Sequence, residues 1–460
     1  MKHYEQYKRM IKFFSASIIV LLEVGIYWIV WTKHYNTILE FPFFRRGNWL
    51  MVCLYGILLL FFLTMYGGFK VGVLKKGNVI YSQILSCVLV NGITYLQIAL
   101  LDKRFHSLTA IVVMTLVDII CIVLWAFSFS WIYTRLFPPR RLLLIYGDRP
   151  AFHLMEKINS REDKYVISGA LNVEIGMDAI RMAIKNYEGV IIGDVPAHER
   201  NALMKYCFAI GVRTYTVPKI SDILLRSSEE LNIFDSPLYL SRNEGVHFEQ
   251  RVAKRLMDLV CAGIGLILTL PFFIIIAISI KLTDGGPVFY KQTRLTKWGH
   301  PFEIYKFRTM VQDAEKMGAQ LASEHDPRIL PIGRLLRATR LDELPQLINV
   351  LKGEMSMVGP RPERPELAAE IEKEIPEFSY RLKVKAGLTG YAQIYGKYNT
   401  TSYDKLKLDL TYIQNYSMWL DLKLMILTPK IMFMKESTEG VKKDGGQEEG
   451  IRQAAVSEER

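Results

Sequence analysis

Four apolar runs, residues 13–31, 49–66, 84–101 and 108–133, fill the first third of the chain. Each approaches or exceeds the roughly 20 residues a helix needs to cross a hydrocarbon core. In lipid only helices and closed barrels satisfy every backbone N–H and C=O, so these runs predict a four-helix transmembrane domain over residues 1–135. The first run is not a cleaved leader: it is long, it lacks a small-residue cleavage site and three more runs follow. Trp28, Trp31, Trp49 and Trp131 lie near run ends, where interfacial aromatics are expected. Glu23, Asn91 and Asp118 interrupt the runs, either as a site or as helix–helix contacts. Lys2, Lys8, Arg9 and Lys12 before the first run, with Arg135, Arg140 and Arg141 after the fourth, predict a cytoplasmic start and return, although Arg45 and Arg46 in a loop run against it.

Only 50% of the 460 residues are hydrophobic, so water-soluble parts must accompany the membrane part. The formal charge of +12 admits nucleic acid, anionic lipid or a phosphorylated ligand as partner. Basic residues track the ends of apolar runs and one later segment, which disfavours nucleic acid. The five cysteines form no CxxC pair, so zinc and disulfide frameworks are unsupported.

Residues 136–220 alternate. Short apolar stretches at 142–146, 165–171, 189–192 and 212–217 read as buried strands, and 151–159, 177–186 and 198–210 as the helices between them. This predicts a parallel sheet in a small α/β cytoplasmic domain, Rossmann-like in its alternation. Tyr146-Gly147-Asp148-Arg149-Pro150 supplies one glycine where a dinucleotide fingerprint wants three, so a scaffold or regulatory role is expected. Residues 221–250 read as a linker, 251–435 as a mainly helical domain and 436–460 as a polar, disordered tail.

A fifth apolar run, 259–280, is long enough to span a bilayer. Pro271 sits in its middle and breaks the hydrogen-bond ladder, and both flanks are basic, with Lys254 and Arg255 before and Lys281, Lys291 and Arg294 after. A crossing would carry the later basic residues to the opposite face. A helix over 254–281 that kinks at Pro271 and re-enters one leaflet removes that conflict; a fifth span with a proline kink is the alternative.

Between residues 251 and 310 there are nine Lys/Arg against three Asp/Glu. A headgroup belt accounts for some of these. It accounts less well for Tyr305-Lys306-Phe307-Arg308-Thr309-Met310, where a strand would put Lys306 and Arg308 on one face. Further on, Gly333-Arg334-Leu335-Leu336-Arg337-Ala338-Thr339-Arg340 leads into Leu341-Asp342-Glu343-Leu344-Pro345. Leu344, Leu347, Ile348 and Leu351 then follow helical spacing up to Gly353, so Asp342 is expected at or just before a helix N-terminus. It is either a simple N-cap or a reactive carboxylate. An Asp/Glu pair is a fit donor set for Mg²⁺. Val358-Gly359-Pro360-Arg361-Pro362 forms a rigid turn able to aim Arg361 at an anion, and Gly387-Leu388-Thr389-Gly390 is a second glycine-rich turn.

Taken in order, these pieces, together with Lys254-Arg255 and Asp258 and with Asn349-Val350-Leu351-Lys352-Gly353, closely resemble the catalytic domain of the bacterial sugar transferases, the monotopic phosphoglycosyl transferases. The preceding spans and α/β domain resemble the long form of that family, exemplified by undecaprenyl-phosphate galactose and glucose phosphotransferases. The resemblance implies transfer of a sugar-1-phosphate from a UDP-sugar to undecaprenyl phosphate with release of UMP, initiating exopolysaccharide or capsule assembly. It implies an Mg²⁺-dependent site on the cytoplasmic face of the inner membrane, a re-entrant helix and, for the long form, a homodimer. The family's carboxylate dyad maps onto Asp342 and Glu343, with Asp342 as nucleophile and both as metal ligands. Lys306, Arg308, Arg337, Arg340, Arg361, Gln393 and Lys397 are the candidate substrate and phosphate contacts. Two departures stand out: Lys385-Ala386-Gly387 replaces the common Lys-Pro-Gly, and Gly396-Lys397 the common Gly-Arg, losing a bidentate fork at 397. Two other classes remain: a nucleotide-sugar dehydratase or epimerase using the α/β domain, and a non-enzymatic scaffold for polysaccharide assembly.

Overall fold

A computed structural model describes residues 6–147, 152–233, 235–241, 245–311, 326, 328–397 and 400–432. Lys2, Asp148–Pro150 of the single-glycine turn and the tail 436–460 lie outside these. The chain divides into two compact units, Met1–Pro218 and Lys219–Arg460.

In the first unit the four apolar runs are helices: α1 (Lys8–Val30), α2 (Arg45–Tyr66), α3 (Lys76–Leu101) and α4 (Thr109–Leu136). A π-helical turn, Trp31–Tyr35, extends α1, so its apolar helical stretch runs to Ile38. Lipid-facing sides stay apolar while the helices meet through aromatic and polar contacts. The Tyr27 and Tyr55 rings stack at 4.1 Å. The Tyr55 hydroxyl donates to Asn91 Oδ1 at 2.9 Å, and Asn91 Nδ2 donates to Asp118 Oδ2 at 3.2 Å. The polar interruptions at Asn91 and Asp118 are therefore helix–helix contacts. Trp49 and Trp131 are exposed, as interfacial residues would be, but Trp31 is fully buried and its indole N–H donates to Asn48 Oδ1.

The rest of this unit is a four-stranded parallel sheet of β1 (Arg140–Tyr146), β2 (Tyr165–Asn172), β3 (Gly189–Ile192) and β4 (Arg213–Thr216) in the order β2-β1-β3-β4. Leu142 to Ile145 are buried on both faces, which is why that stretch reads as a continuous apolar run. Helices Phe152–Asn159, Met177–Ile184 and Ala197–Ala209 connect the strands, close to the expected positions.

The second unit begins where a linker was expected. Residues 221–250 instead contain most of a short helix, Ile220–Arg226, and an antiparallel hairpin of Glu229–Ile233 with Ser236–Leu240. Both strands are largely solvent-exposed and lack apolar alternation, so the sequence carried no strand signal there.

The fifth apolar run lies within one helix, Phe248–Asp284, whose backbone stays helical across Pro271. At about 1.5 Å per residue it is roughly 55 Å long, well beyond a hydrocarbon core. One stripe along it touches the rest of this unit from end to end. Near its start, the Lys254 ammonium is buried against Val358 O, the Tyr412 hydroxyl and Asp421 Oδ2, the last at 2.5 Å. The Arg255 guanidinium donates to Val350 O and Leu351 O, and Asp258 accepts from Ser356 Oγ and Met357 N. Ala262 then packs with Phe302, Ile304 and Leu347. Beyond Pro271, Phe273, Ile276 and Ile280 pack with Phe307 and Leu336. The opposite stripe, including Leu256, Ile264, Ile267, Leu268, Ile275 and Leu282, is exposed.

Candidate active site

An antiparallel hairpin, Phe289–Leu295 with Pro301–Phe307, forms one wall and carries Lys306 opposite Tyr290. Phe302 and Ile304 turn one face into the core, and Phe307 is held between Phe273 and Phe289 rings at 5.0 and 5.6 Å. The hairpin's outer edge is tied to the short helix Gln346–Lys352 by buried Asn349, whose Oδ1 accepts from Tyr305 N and whose Nδ2 donates to Glu303 O. This fixes Lys306 relative to the residues just ahead of that helix.

Those residues are Asp342 and Glu343. They lie in a 3-10 turn, Leu341–Glu343, just before the helix Gln346–Lys352, as the apolar spacing led one to expect. Helix Pro331–Thr339 ends at Arg340, which adopts a left-handed backbone with φ 55°. That reversal, unusual for a non-glycine residue, turns the chain so that Asp342 and Glu343 enter the site. The helix before it is held close: Gly333 abuts the Thr309 backbone where a Cβ would clash, and Arg337 Nε donates to Thr309 Oγ1 at 2.9 Å.

Glu343 Oε1 accepts from both Lys306 Nζ and Arg361 Nη2, each at 2.9 Å. Arg361 is aimed from behind: buried Arg381 donates to its carbonyl oxygen at 3.0 Å and pairs with Asp409 at 2.8 Å. Among the described residues, the Asp342 carboxylate accepts no hydrogen bond and joins no ion pair. Burial pushes its pKa up to about 6, against the pull of Lys306 and Arg337 and with the push of Glu343. For Glu343, burial also acts upward, but Lys306 and Arg361 outweigh it and hold the carboxyl well below the usual range. One carboxylate is thus pinned in a cationic fork, and its neighbour is left open.

A cleft of about 250 Å³ opens beside Glu343. Lys306, Arg361 and Gln393 line it, as does Arg294, which the sequence reading passed over as a flanking basic residue, and Gln346, which it missed. Arg308 is buried just past the strand, which ends at Phe307, and does not line the cleft; its backbone N–H donates to Val288 O. Arg337 stands near Asp342, since its charge acts on that carboxyl. Arg340 acts on Glu343 in the same way. Lys397 is exposed in the turn after helix Tyr391–Tyr395 and does not line the cleft. The oxygens of Asp342 and the second oxygen of Glu343 are a hard-donor set that fits a divalent cation such as Mg²⁺, although no cluster of three or more His, Cys, Asp or Glu occurs among the described residues.

The family described as bacterial sugar transferase matches residues 249–435. A UDP-N-acetylgalactosamine-undecaprenyl-phosphate N-acetylgalactosaminephosphotransferase of Aeromonas hydrophila is 34% identical over 266 residues, 55% of this chain and 60% of its own. A UDP-glucose:undecaprenyl-phosphate glucose-1-phosphate transferase of Escherichia coli K12 is 41% identical over 214 residues, 45% of each chain. A Bacillus subtilis relative is 53% identical over 129 residues, 28% of this chain and 72% of its own. The chain spans about half the length of the first two. With the matched segment containing the carboxylate pair, its cationic fork and the long helix, and with four membrane helices and an α/β domain ahead of it, the chain belongs to the bacterial sugar transferase family in its long form.

Proposed function

We propose that this protein transfers a sugar-1-phosphate from a UDP-sugar to undecaprenyl phosphate, forming undecaprenyl-diphosphate-sugar and UMP, on the cytoplasmic face of a bacterial inner membrane. The observation that carries this reading is the division of labour in the carboxylate pair: Glu343 is bound by Lys306 and Arg361, while Asp342 is ionisable near neutral pH and open to attack a phosphorus. The relatives' names agree with the substrate classes.

In the first half-reaction an Asp342 oxygen attacks the sugar-linked phosphorus. The bond from that phosphorus to the bridging oxygen breaks, and UMP leaves with its electron pair. The phosphosugar then sits on Asp342 as a mixed anhydride. In the second half-reaction an oxygen of undecaprenyl phosphate attacks that phosphorus, the anhydride bond breaks and the Asp342 carboxylate is restored. Lys306 and Arg361 are positioned to bind the donor's phosphates as they exchange partners with Glu343, and Arg337 and Arg340 add positive charge near the dyad. Asp342 and Glu343 would hold Mg²⁺, which when bound lowers the repulsion between a carboxylate and a diphosphate.

Re-entry of the long helix is part of this proposal, and its contacts support it. Both halves, before and after Pro271, pack against the same catalytic fold, so its two ends belong on one side of the membrane while the exposed stripe enters lipid. In this reading the helix would hold Asp342 at a leaflet surface, within reach of a lipid-borne phosphate.

The test is UMP release by purified protein with Mg²⁺, undecaprenyl phosphate and a panel of UDP-sugars, paired with trapping of radiolabelled phosphosugar on the protein. Asp342→Asn is expected to fold, bind membrane and form no adduct. Full turnover by that variant would remove Asp342 as nucleophile, and no UMP from any donor would favour a scaffold.

A further inference from the structure

The cleft beside Glu343 carries hydrogen-bonding groups that the phosphate chemistry leaves unused. Gln393 Nε2 donates to Leu388 O at 3.3 Å, which fixes the amide, and its Oε1 lies close to Gly390. That oxygen is buried and has no partner among the described residues. Arg294 spends Nη1 on Pro362 O and Nη2 on Gln292 Oε1, and its buried Nε–H has no acceptor there. Gln346 also lines the cleft, and its side chain makes no hydrogen bond among the described residues, though its amide is not among the buried unpaired groups. A buried polar group left unpaired is costly, so two such groups on residues that line one cleft, with Gln346 beside them, point to a ligand that supplies the missing partners.

Their chemistry selects the ligand. A phosphate brings acceptors only and would set oxygen against Gln393 Oε1. An isoprenoid brings neither donors nor acceptors. A nucleobase favours a ring to stack on, and the residues lining the cleft include no aromatic. A sugar hydroxyl both donates and accepts, and neighbouring hydroxyls present both roles at once; the ribose of UMP shares this chemistry, so UMP binding is the measurement that separates it from the hexose. We propose that Arg294, Gln346 and Gln393 form the sugar-recognition wall of the donor site, reading hexose hydroxyls while Lys306 and Arg361 hold the phosphates. This rests on the transferase reading and adds to it where selectivity among sugars resides. A site built to hydrogen-bond a hydroxyl rejects the analogue that misplaces it far more strongly than an apolar pocket does.

Gln393→Met keeps the side chain's length and removes the acceptor; Arg294→Lys keeps the charge and removes the Nε donor. Both are assayed as full-length protein in detergent, with melting curves to establish folding. For the preferred UDP-hexose, each variant is expected to lose at least about tenfold in kcat/KM. The kcat/KM ratio between that donor and its epimers should narrow by a similar factor, while UMP, which lacks the sugar, binds within about twofold of wild type. An unchanged ratio among UDP-sugars, or a fall in UMP affinity matching the fall in kcat/KM, would overturn the assignment. A wild-type protein that releases UMP from no donor would instead sink the transferase reading, and this inference with it.

Discussion

Asp342 and Glu343 are adjacent in one 3-10 turn yet are driven to opposite acidities, Asp342 up to about 6 and Glu343 well below the carboxylate range. The cause is geometric: one faces two cations at 2.9 Å and the other faces none at that distance. In the metal-free protein a raised carboxyl favours the folded state only while it holds its proton. Its contribution is complete below the unfolded value of 3.8 and is lost as pH rises through about 6. Asp342→Asn should therefore melt above wild type at pH 7.5 in chelator, with the gap closing below about pH 4. Equal melting temperatures at both pH values would remove the burial argument. Activity runs the other way. Wild-type kcat/KM should rise with pH along an acid limb, which bound Mg²⁺ pulls below the metal-free value, and Lys306→Met, which removes a cation that favours ionised Asp342, should move that limb upward.

Glu343→Gln tests the fork. The amide keeps the shape but loses the charge that holds Lys306 and Arg361. A hydrogen bond to a charged group contributes about 1.5–3 kcal/mol, so kcat/KM should fall about 10- to 100-fold. The loss should come with a weaker response to added Mg²⁺ in steady-state UMP release. A variant with wild-type kinetics and metal dependence would show that neither the fork nor a metal ligand at Glu343 is needed for turnover.

Much of this fold was readable from residue order. Four apolar runs became four helices because lipid leaves the backbone no other solution, and Leu142–Ile145 became a central parallel strand because both of its faces are buried. The site was readable only in part. Spacing from Leu344 to Leu351 gave the helix after the dyad, but not the 3-10 turn that carries it, because that turn depends on Arg340 at φ 55°, a conformation no arginine propensity announces. Arg294 and Gln346 were not identified as site residues because their access to the cleft depends on hairpin register and on packing with residues 361–393. The hairpin at 229–240 was missed for a different reason: it buries almost nothing, and burial patterning is what betrays a strand.

Lys254 and Asp421 form a buried ion pair at 2.5 Å, with Tyr412 donating to the other carboxylate oxygen at 2.7 Å. Lys254→Met leaves Asp421 charged and unpaired in the core. Removing one partner of such a pair costs about 3–5 kcal/mol, enough to be plain in a detergent melting curve. Lys254→Met combined with Asp421→Leu removes both charges and should recover much of that loss. A double variant no more stable than the single one would mean that Tyr412 and Val358 O, rather than the charge, account for the cost.

Both ends of the long helix should lie on one side of the membrane. Phe248 and Leu282 sit at those ends and are exposed, so a cysteine at either accepts a maleimide without disturbing the core. With Cys53, Cys87, Cys121, Cys207 and Cys261 replaced, Phe248→Cys and Leu282→Cys should each label in inverted membrane vesicles and resist an impermeant reagent applied to intact cells. A crossing helix would expose the two to opposite reagents. It would also pull Ile276 and Ile280 across the bilayer, away from Phe307 and Leu336, which pack beside the turn that holds Asp342. The same experiment therefore probes the site: if the helix crosses, the contacts that bring Lys306 and Asp342 together cannot coexist.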